Sequence, residues 1–247
     1  MKKQAEIKIS GNIEELTEEF VKLLQDQLHR KNDNEPVTFA LSGGSTPKSL
    51  FREIGNHHKN QIDWSRIKFF WSDERCVPPN TEESNYKMAC NNLLKKLPVP
   101  EKNIFRIHGE NNPEEEAERY SKVARKHVGY SGNHLQFDII MLGLGVDGHT
   151  ASVFPGNEIL FHSHSLFTST KHPETGQKRI TMTGKVINHA SNVVFLVSGK
   201  SKAQILSEVL EPSFQTHPYP ASLVRPENGK LTWLVDTEAA KYLKRNQ

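Results

Sequence analysis

Residues 137–156 read FDIIMLGLGVDGHTASVFPG, and they limit the possible folds of this chain more than any other stretch. Phe137, Ile139, Ile140, Met141 and Leu142 make an apolar run of strand length, which suits a strand covered on both faces. Gly143, Gly145 and Gly148 then permit a tight turn and a close approach of backbone to ligand. The turn carries Asp147 and His149. In an open α/β sheet ligands bind at the carboxyl edge of the strands, so a titratable pair there marks a candidate site.

The same strand-into-turn pattern recurs along the chain. Ile13, Leu16, Phe20, Leu23, Leu24 and Leu28 fall at helical spacing, and a strand over 37–41 follows. SGGSTP at 42–47 comes next, with Thr46 expected as a helix N-cap and Pro47 in the first turn. A strand over 67–71 feeds the loop SDERCVPPNTEES, and a helix is expected from about Ser84. Asn112-Pro113 followed by Glu114, Glu115 and Glu116 reads as a helix start with a solvated acidic face, running to about His127. Short strands are expected over 166–170 and 180–183, a buried one over 192–198, a helix over 201–210, a last strand over 230–236 and a closing helix over 237–243. Segments 172–177 and 211–220 read as surface loops. Alternating strands and helices predict a single α/β domain over 1–247, a mainly parallel sheet covered on both faces.

The 247 residues carry 32 basic and 29 acidic side chains without a long basic block, which gives no footing for nucleic-acid binding. Cys76 and Cys90 are the only cysteines and fit no zinc spacing, so neither a disulfide framework nor a metal site is expected. No stretch approaches the roughly 18 apolar residues of a spanning helix, and the amino terminus lacks an apolar signal core. The expectation is a cytoplasmic protein with no membrane contact.

GLGVDG at 143–148 matches G-x-G-x-x-G, yet a dinucleotide site also needs an acid about 20 positions on, and 162–170 hold none. SGGSTP presents the backbone N–H groups of Gly43, Gly44 and Ser45 and the Thr46 hydroxyl at a helix start, a phosphate cradle without the Gly-Lys-Ser/Thr of a nucleotide P-loop. Asp73, Glu74 and Arg75 follow a strand, where an acid orients a base and a guanidinium meets an anionic oxygen. Arg179 and Lys202 stand near later strand ends. Each of these alone has an ordinary reading as turn, surface ion pair or solvated cation; five strand-end loops with such residues together point to an anionic substrate.

In order, ALSGGSTP, WSDER with SNY at 84–86, GLGVDGHTASVFPG, RITMT, SGKSKA and PASLV resemble the 6-phosphogluconolactonase family of the glucosamine/galactosamine-6-phosphate isomerase superfamily. The resemblance implies a three-layer α/β/α sandwich of the sugar-phosphate isomerase/deaminase kind, with no cofactor. It also implies hydrolysis of 6-phospho-D-glucono-1,5-lactone to 6-phospho-D-gluconate in the oxidative pentose phosphate pathway. His149 is expected as general base, Asp147 or Asp73 as its orienting acid, and Arg75 as partner of the carbonyl oxygen. Gly43, Gly44, Ser45, Thr46, Arg179 and Lys202 are expected to bind the phosphate. Related deaminases read DGHIAFNEPG and DEY, so their ring-opening glutamate aligns with Phe154 here and their tyrosine with Arg75. Val146 stands where many of these lactonases carry proline. A glucosamine-6-phosphate deaminase-like enzyme and a non-catalytic sugar-phosphate sensor are the alternatives. A sensor of that kind carries an amino-terminal helix-turn-helix, whereas about 36 residues with one clear helix precede the first expected strand.

Overall fold

Side-chain caps fix where the longer helices begin. Asn12 accepts the N–H of Glu15 at 2.9 Å and opens α1 (Ile13–Arg30), with Glu14 and Glu15 in its first turn and His29 and Arg30 in its last. Two strands flank this helix: β1 (Glu6–Ser10) precedes α1, and β2 (Val37–Leu41) follows it. The chain continues through α2 (Ser45–Glu53), β3 (Ile67–Trp71) and β4 (Asp73–Arg75). Ser84 caps α3 (Asn85–Asn92) through the N–H of Lys87 at 3.1 Å, and Asn112 with Pro113 opens α4 (Pro113–His127). A hairpin of β5 (Gly129–Ser131) and β6 (His134–Gln136) leads to β7 (Ile139–Gly143). The remainder comprises β8 (Phe167–Lys171), β9 (Lys178–Met182), α5 (Gly184–Ile187), β10 (Asn192–Val197), α6 (Ala203–Leu210) and β11 (Lys230–Asp236). These descriptions come from a computed structural model and cover residues 5–211 and 219–244; most of the loop expected over 211–220 lies outside them.

Six strands pair in parallel in the order β1-β11-β10-β7-β2-β3. Every residue of β2 and β10 is buried, which requires cover on both sheet faces. Register explains how the cover divides. Phe39 and Phe69 are cross-strand partners, and Phe20 of α1 meets Phe39 at 5.4 Å on one face. Phe70 points the other way, against Phe105 at 4.8 Å, Phe137 at 5.2 Å and Tyr120 of α4 at 6.3 Å. Trp233 of β11 stacks on Phe195 of β10 at 3.9 Å. The result is a three-layer α/β/α sandwich.

Several details depart from the sequence reading. A strand, β1, precedes α1 and pairs with β11. The tripeptide Asp73-Glu74-Arg75 is itself a strand, joined with β9 and β8 in a separate antiparallel sheet. The closing helix is reduced to a single 3-10 turn, Ala239–Tyr242. Of the acidic run in α4, Glu114 and Glu115 are exposed, but Glu116 is buried and takes the Arg119 guanidinium at 2.6 Å and the His108 N–H at 2.7 Å. Cys76 and Cys90 are free thiols, and burial pushes Cys76 up to about 11. Among the described residues no helix is long and apolar enough to cross a membrane.

One buried acid ties the antiparallel sheet to the start of α3. Glu74 is 2% exposed and accepts the N–H groups of Arg75, Asn85 and Tyr86, each at 2.8 Å, and the Ser84 hydroxyl at 3.1 Å. Glu74→Ala strands those donors without water, so the unfolding free energy measured in urea should fall by about 3 kcal/mol. A loss under about 1 kcal/mol would mean the donors find other partners.

Candidate active site

Two turns at the carboxyl edge of the parallel sheet face each other across one cleft of about 170 Å³. The first leaves β2, and its two glycines serve different ends. Gly44 has φ 108°, a conformation that favours glycine, as the chain enters α2. Gly43 makes room: a Cβ there would overlap the amide of Asn85, which donates to the Asp73 carbonyl at 3.0 Å. Thr46 is therefore inside α2 rather than its cap, which corrects the sequence expectation; Gly44 takes the cap position with no side-chain bond to offer. The Thr46 hydroxyl instead lies 2.9 Å from Ser198 Oγ, just past β10.

The second turn leaves β7 and closes on itself. Gly145 N–H donates to the His149 carbonyl at 2.9 Å, Gly148 N–H to the Gly145 carbonyl at 3.1 Å, and the Thr150 hydroxyl to the Gly143 carbonyl at 3.0 Å. Ala151 follows at φ 48°, a left-handed conformation rare outside glycine. His149 Nδ1 lies 2.6 Å from Asp147 Oδ1, which also accepts the His149 N–H at 3.2 Å. The pair rests directly on Gly145, where a Cβ would overlap both His149 Nδ1 and Asp147 Oδ1. Burial raises the Asp147 carboxyl, but the hydrogen bond and charge of His149 outweigh it and hold the group below its ordinary value. Asp147 thus presents an acceptor to that ring nitrogen, which favours the tautomer with its proton on Nδ1. The Phe154 ring packs 4.8 Å from the imidazole.

Cations face this pair from elsewhere. Arg75 and Arg179 are register partners on β4 and β9, so both enter the cleft from the antiparallel sheet and not from strand-end loops, as the sequence suggested. Both have a buried Nε without a partner, while Arg75 Nη1 donates to the Glu83 carbonyl. Burial, and then the Arg75 charge, lower the Arg179 pKa. Lys202 ends the 3-10 turn Lys200–Lys202 ahead of α6; burial lowers its pKa and Asp147 opposes that shift. Asp73 is buried and accepts the Ser152 hydroxyl at 2.6 Å. The aspartate bonded to His149 is Asp147.

Of the residues expected from the sequence to act in catalysis or hold the phosphate, all line the cleft except Asp147, which is bonded to His149 Nδ1. Leu144, Ala151, Leu196 and Val197 add an apolar wall. Asn85 and Ser152 were not singled out. The signal for Asn85 was its place in SNY, while Ser152 gave none beyond its place in DGHTAS. The cleft holds an imidazole oriented by Asp147, one buried acid in Asp73, and three cations, which suits an anionic substrate attacked by water.

The profile described as Glucosamine-6-phosphate isomerases/6-phosphogluconolactonase matches residues 11–233. A 6-phosphogluconolactonase of Haemophilus influenzae is 39% identical over 94% of this chain and 95% of that protein. One from Treponema pallidum is 42% identical over 73% of this chain and 75% of that protein. The solved structure of 6-phosphogluconolactonase from Trypanosoma cruzi superposes with a TM-score of 0.85 at 30% identity, covering 99% of this chain and 98% of that one.

Gly145→Ala should displace the imidazole from Asp147 while leaving the fold intact, because the turn itself needs no left-handed residue at 145. The check is the His149 ring 15N and Nδ1–H signals by NMR. Unchanged signals would mean the pair does not depend on the bare backbone beneath it.

Proposed function

This chain belongs to the glucosamine-6-phosphate isomerase/6-phosphogluconolactonase family, and on that premise we propose that it hydrolyses 6-phospho-D-glucono-1,5-lactone to 6-phospho-D-gluconate. The observation that carries the reading is the Asp147–His149 pair set across one cleft from Arg75, Arg179 and Lys202.

His149 Nε2 removes a proton from water as the water oxygen attacks the lactone carbonyl carbon. Asp147 keeps the opposite nitrogen protonated and stabilises the imidazolium that forms. The carbonyl oxygen becomes an alkoxide, and Arg75 meets its charge. The tetrahedral adduct then collapses: the bond from carbonyl carbon to ring oxygen breaks, and His149 returns its proton to that oxygen. One water is consumed, and a carboxylic acid and a hydroxyl result. Arg179, Lys202 and the turn from Gly43 to Thr46 hold the remote phosphate, so its binding energy aligns the carbonyl with the water. Phe154 supports a lactone over a sugar that must first open its ring, because it places an apolar ring 4.8 Å from the base where the related deaminases carry an acid.

Purified protein supplied with fresh 6-phosphogluconolactone should release acid faster than the spontaneous opening, and should release no ammonia from glucosamine 6-phosphate. Ammonia release would establish the deaminase, and binding of sugar phosphates without turnover would establish a sensor. His149→Ala should lower kcat by about 10²- to 10⁴-fold; near-normal turnover in the folded variant removes His149 from the mechanism. Arg179→Ala and Lys202→Ala should chiefly raise KM, and Arg75→Ala should chiefly lower kcat. A rise in KM alone for Arg75→Ala would move that residue to the phosphate.

A further inference from the structure

The turn bearing the base is held from outside the cleft as well as from within. Asp147 fixes the imidazole but belongs to the same turn, and the bonds among Gly143, Gly145, Gly148, His149 and Thr150 are internal to it. Such bonds set its shape without setting its position. On the cleft side Ser152 anchors the following residues to Asp73 and Thr181. On the outer side Gly148, at φ 83°, lies against the ring of Tyr219, where a Cβ would overlap the ring carbons. The Gly148 carbonyl also accepts the Ala221 N–H at 3.0 Å. The Tyr219 hydroxyl donates to Glu208 Oε2 on α6. That bond first, and then one from Gln204, hold the Glu208 carboxyl below its ordinary value, so it is an ionised acceptor. Helix α6 begins directly after Lys202.

We propose that Tyr219 and Glu208 are positioning residues, a strut that fixes the Gly148–His149 backbone relative to the helix that follows Lys202. The spacing between base and phosphate-holding cation is then set by packing before substrate arrives. This rests on the lactonase reading. Neither residue lines the cleft: the ring bears on Gly148, and the carboxylate bears on the hydroxyl. The strut matters because water attack tolerates little displacement of the base, a shift of about 1 Å costing as much as about 100-fold.

Tyr219→Phe keeps the ring over Gly148 and removes only the hydroxyl; Glu208→Ala removes the other end on a helix that alanine favours. In each, kcat for the lactone should fall about 3- to 10-fold with KM within about twofold and the thermal midpoint within about 2 °C. The double variant should be no slower than the slower single, because both cut one link. Unchanged kcat in Tyr219→Phe, a loss expressed in KM, or additive losses in the double variant would overturn the proposal. So would a lowered thermal midpoint at full kcat, the mark of a brace that serves stability alone. If Tyr219→Phe fails to fold, Glu208→Ala decides by the same readings. An inactive wild-type protein overturns the lactonase reading itself and takes the strut with it, a result separate from any variant.

Discussion

The carboxylate of Asp138 pins β7 to β2 at the amino-terminal end of both strands. Its Oδ2 accepts the Thr38 N–H at 2.8 Å and the Thr38 hydroxyl at 2.7 Å, that hydroxyl accepts the Asp138 N–H at 3.0 Å, and Lys31 lies 2.8 Å from Oδ1. The ladder then runs Phe39 to Ile139 and Ala40 to Ile140. From this pair the chain departs in opposite directions, β2 toward β3 and β7 toward β10 and β11. A crevice must open at the far end of two parallel strands whose connections diverge, and both glycine turns flank it. A slip of one residue would turn each buried strand face over and displace one turn against the other by about 3.3 Å.

Much of this was legible because fully buried strands advertise themselves as short apolar runs. The bounds expected at 37–41, 67–71 and 230–236 are those observed. Asn112-Pro113 with its following acids located α4 equally well, since a cap and a charge bias are local signals. Strand β1 escaped notice because it pairs on one side only and leaves Ile7 and Ile9 exposed, so it shows no buried run. Strand β4 escaped because three polar residues become a strand only by pairing with Arg179, Ile180 and Thr181 about a hundred positions later. The site divides in the same way. Asp147 and His149 share a turn and could be read together, whereas Ser152 on Asp73 and Asn85 on Gly43 act through contacts that exist only in three dimensions.

The antiparallel sheet gives the cleft its electrostatic character. Register places two guanidiniums side by side, and burial removes much of the water that would screen them. Asp73 and Glu74 lie on the same strand, but their oxygens are engaged by Ser152 and by the start of α3, so they offset the field without capping the arginines. Such an arrangement costs stability while the cleft is free of anions. The fold sustains it because Glu74 couples that strand to α3, and α3 in turn packs on the turn after β2.

Strand β1 also bears on how the chain is made. Among the described residues its one ladder partner is β11, so residues 6–10 wait for residues 232–236 before the six-stranded sheet is complete. At typical rates of synthesis that interval is roughly 10–45 s. Once β10 is made, its β11 side stays open until residues 230–236 follow, the kind of unpaired strand edge that invites association with other chains. Strand β1, made before the other strands of the sheet, is therefore among the last of them to pair, and it completes the sheet together with β11. The catalytic turns, built from β2 and β7 in the interior of the sheet, do not wait for that closure.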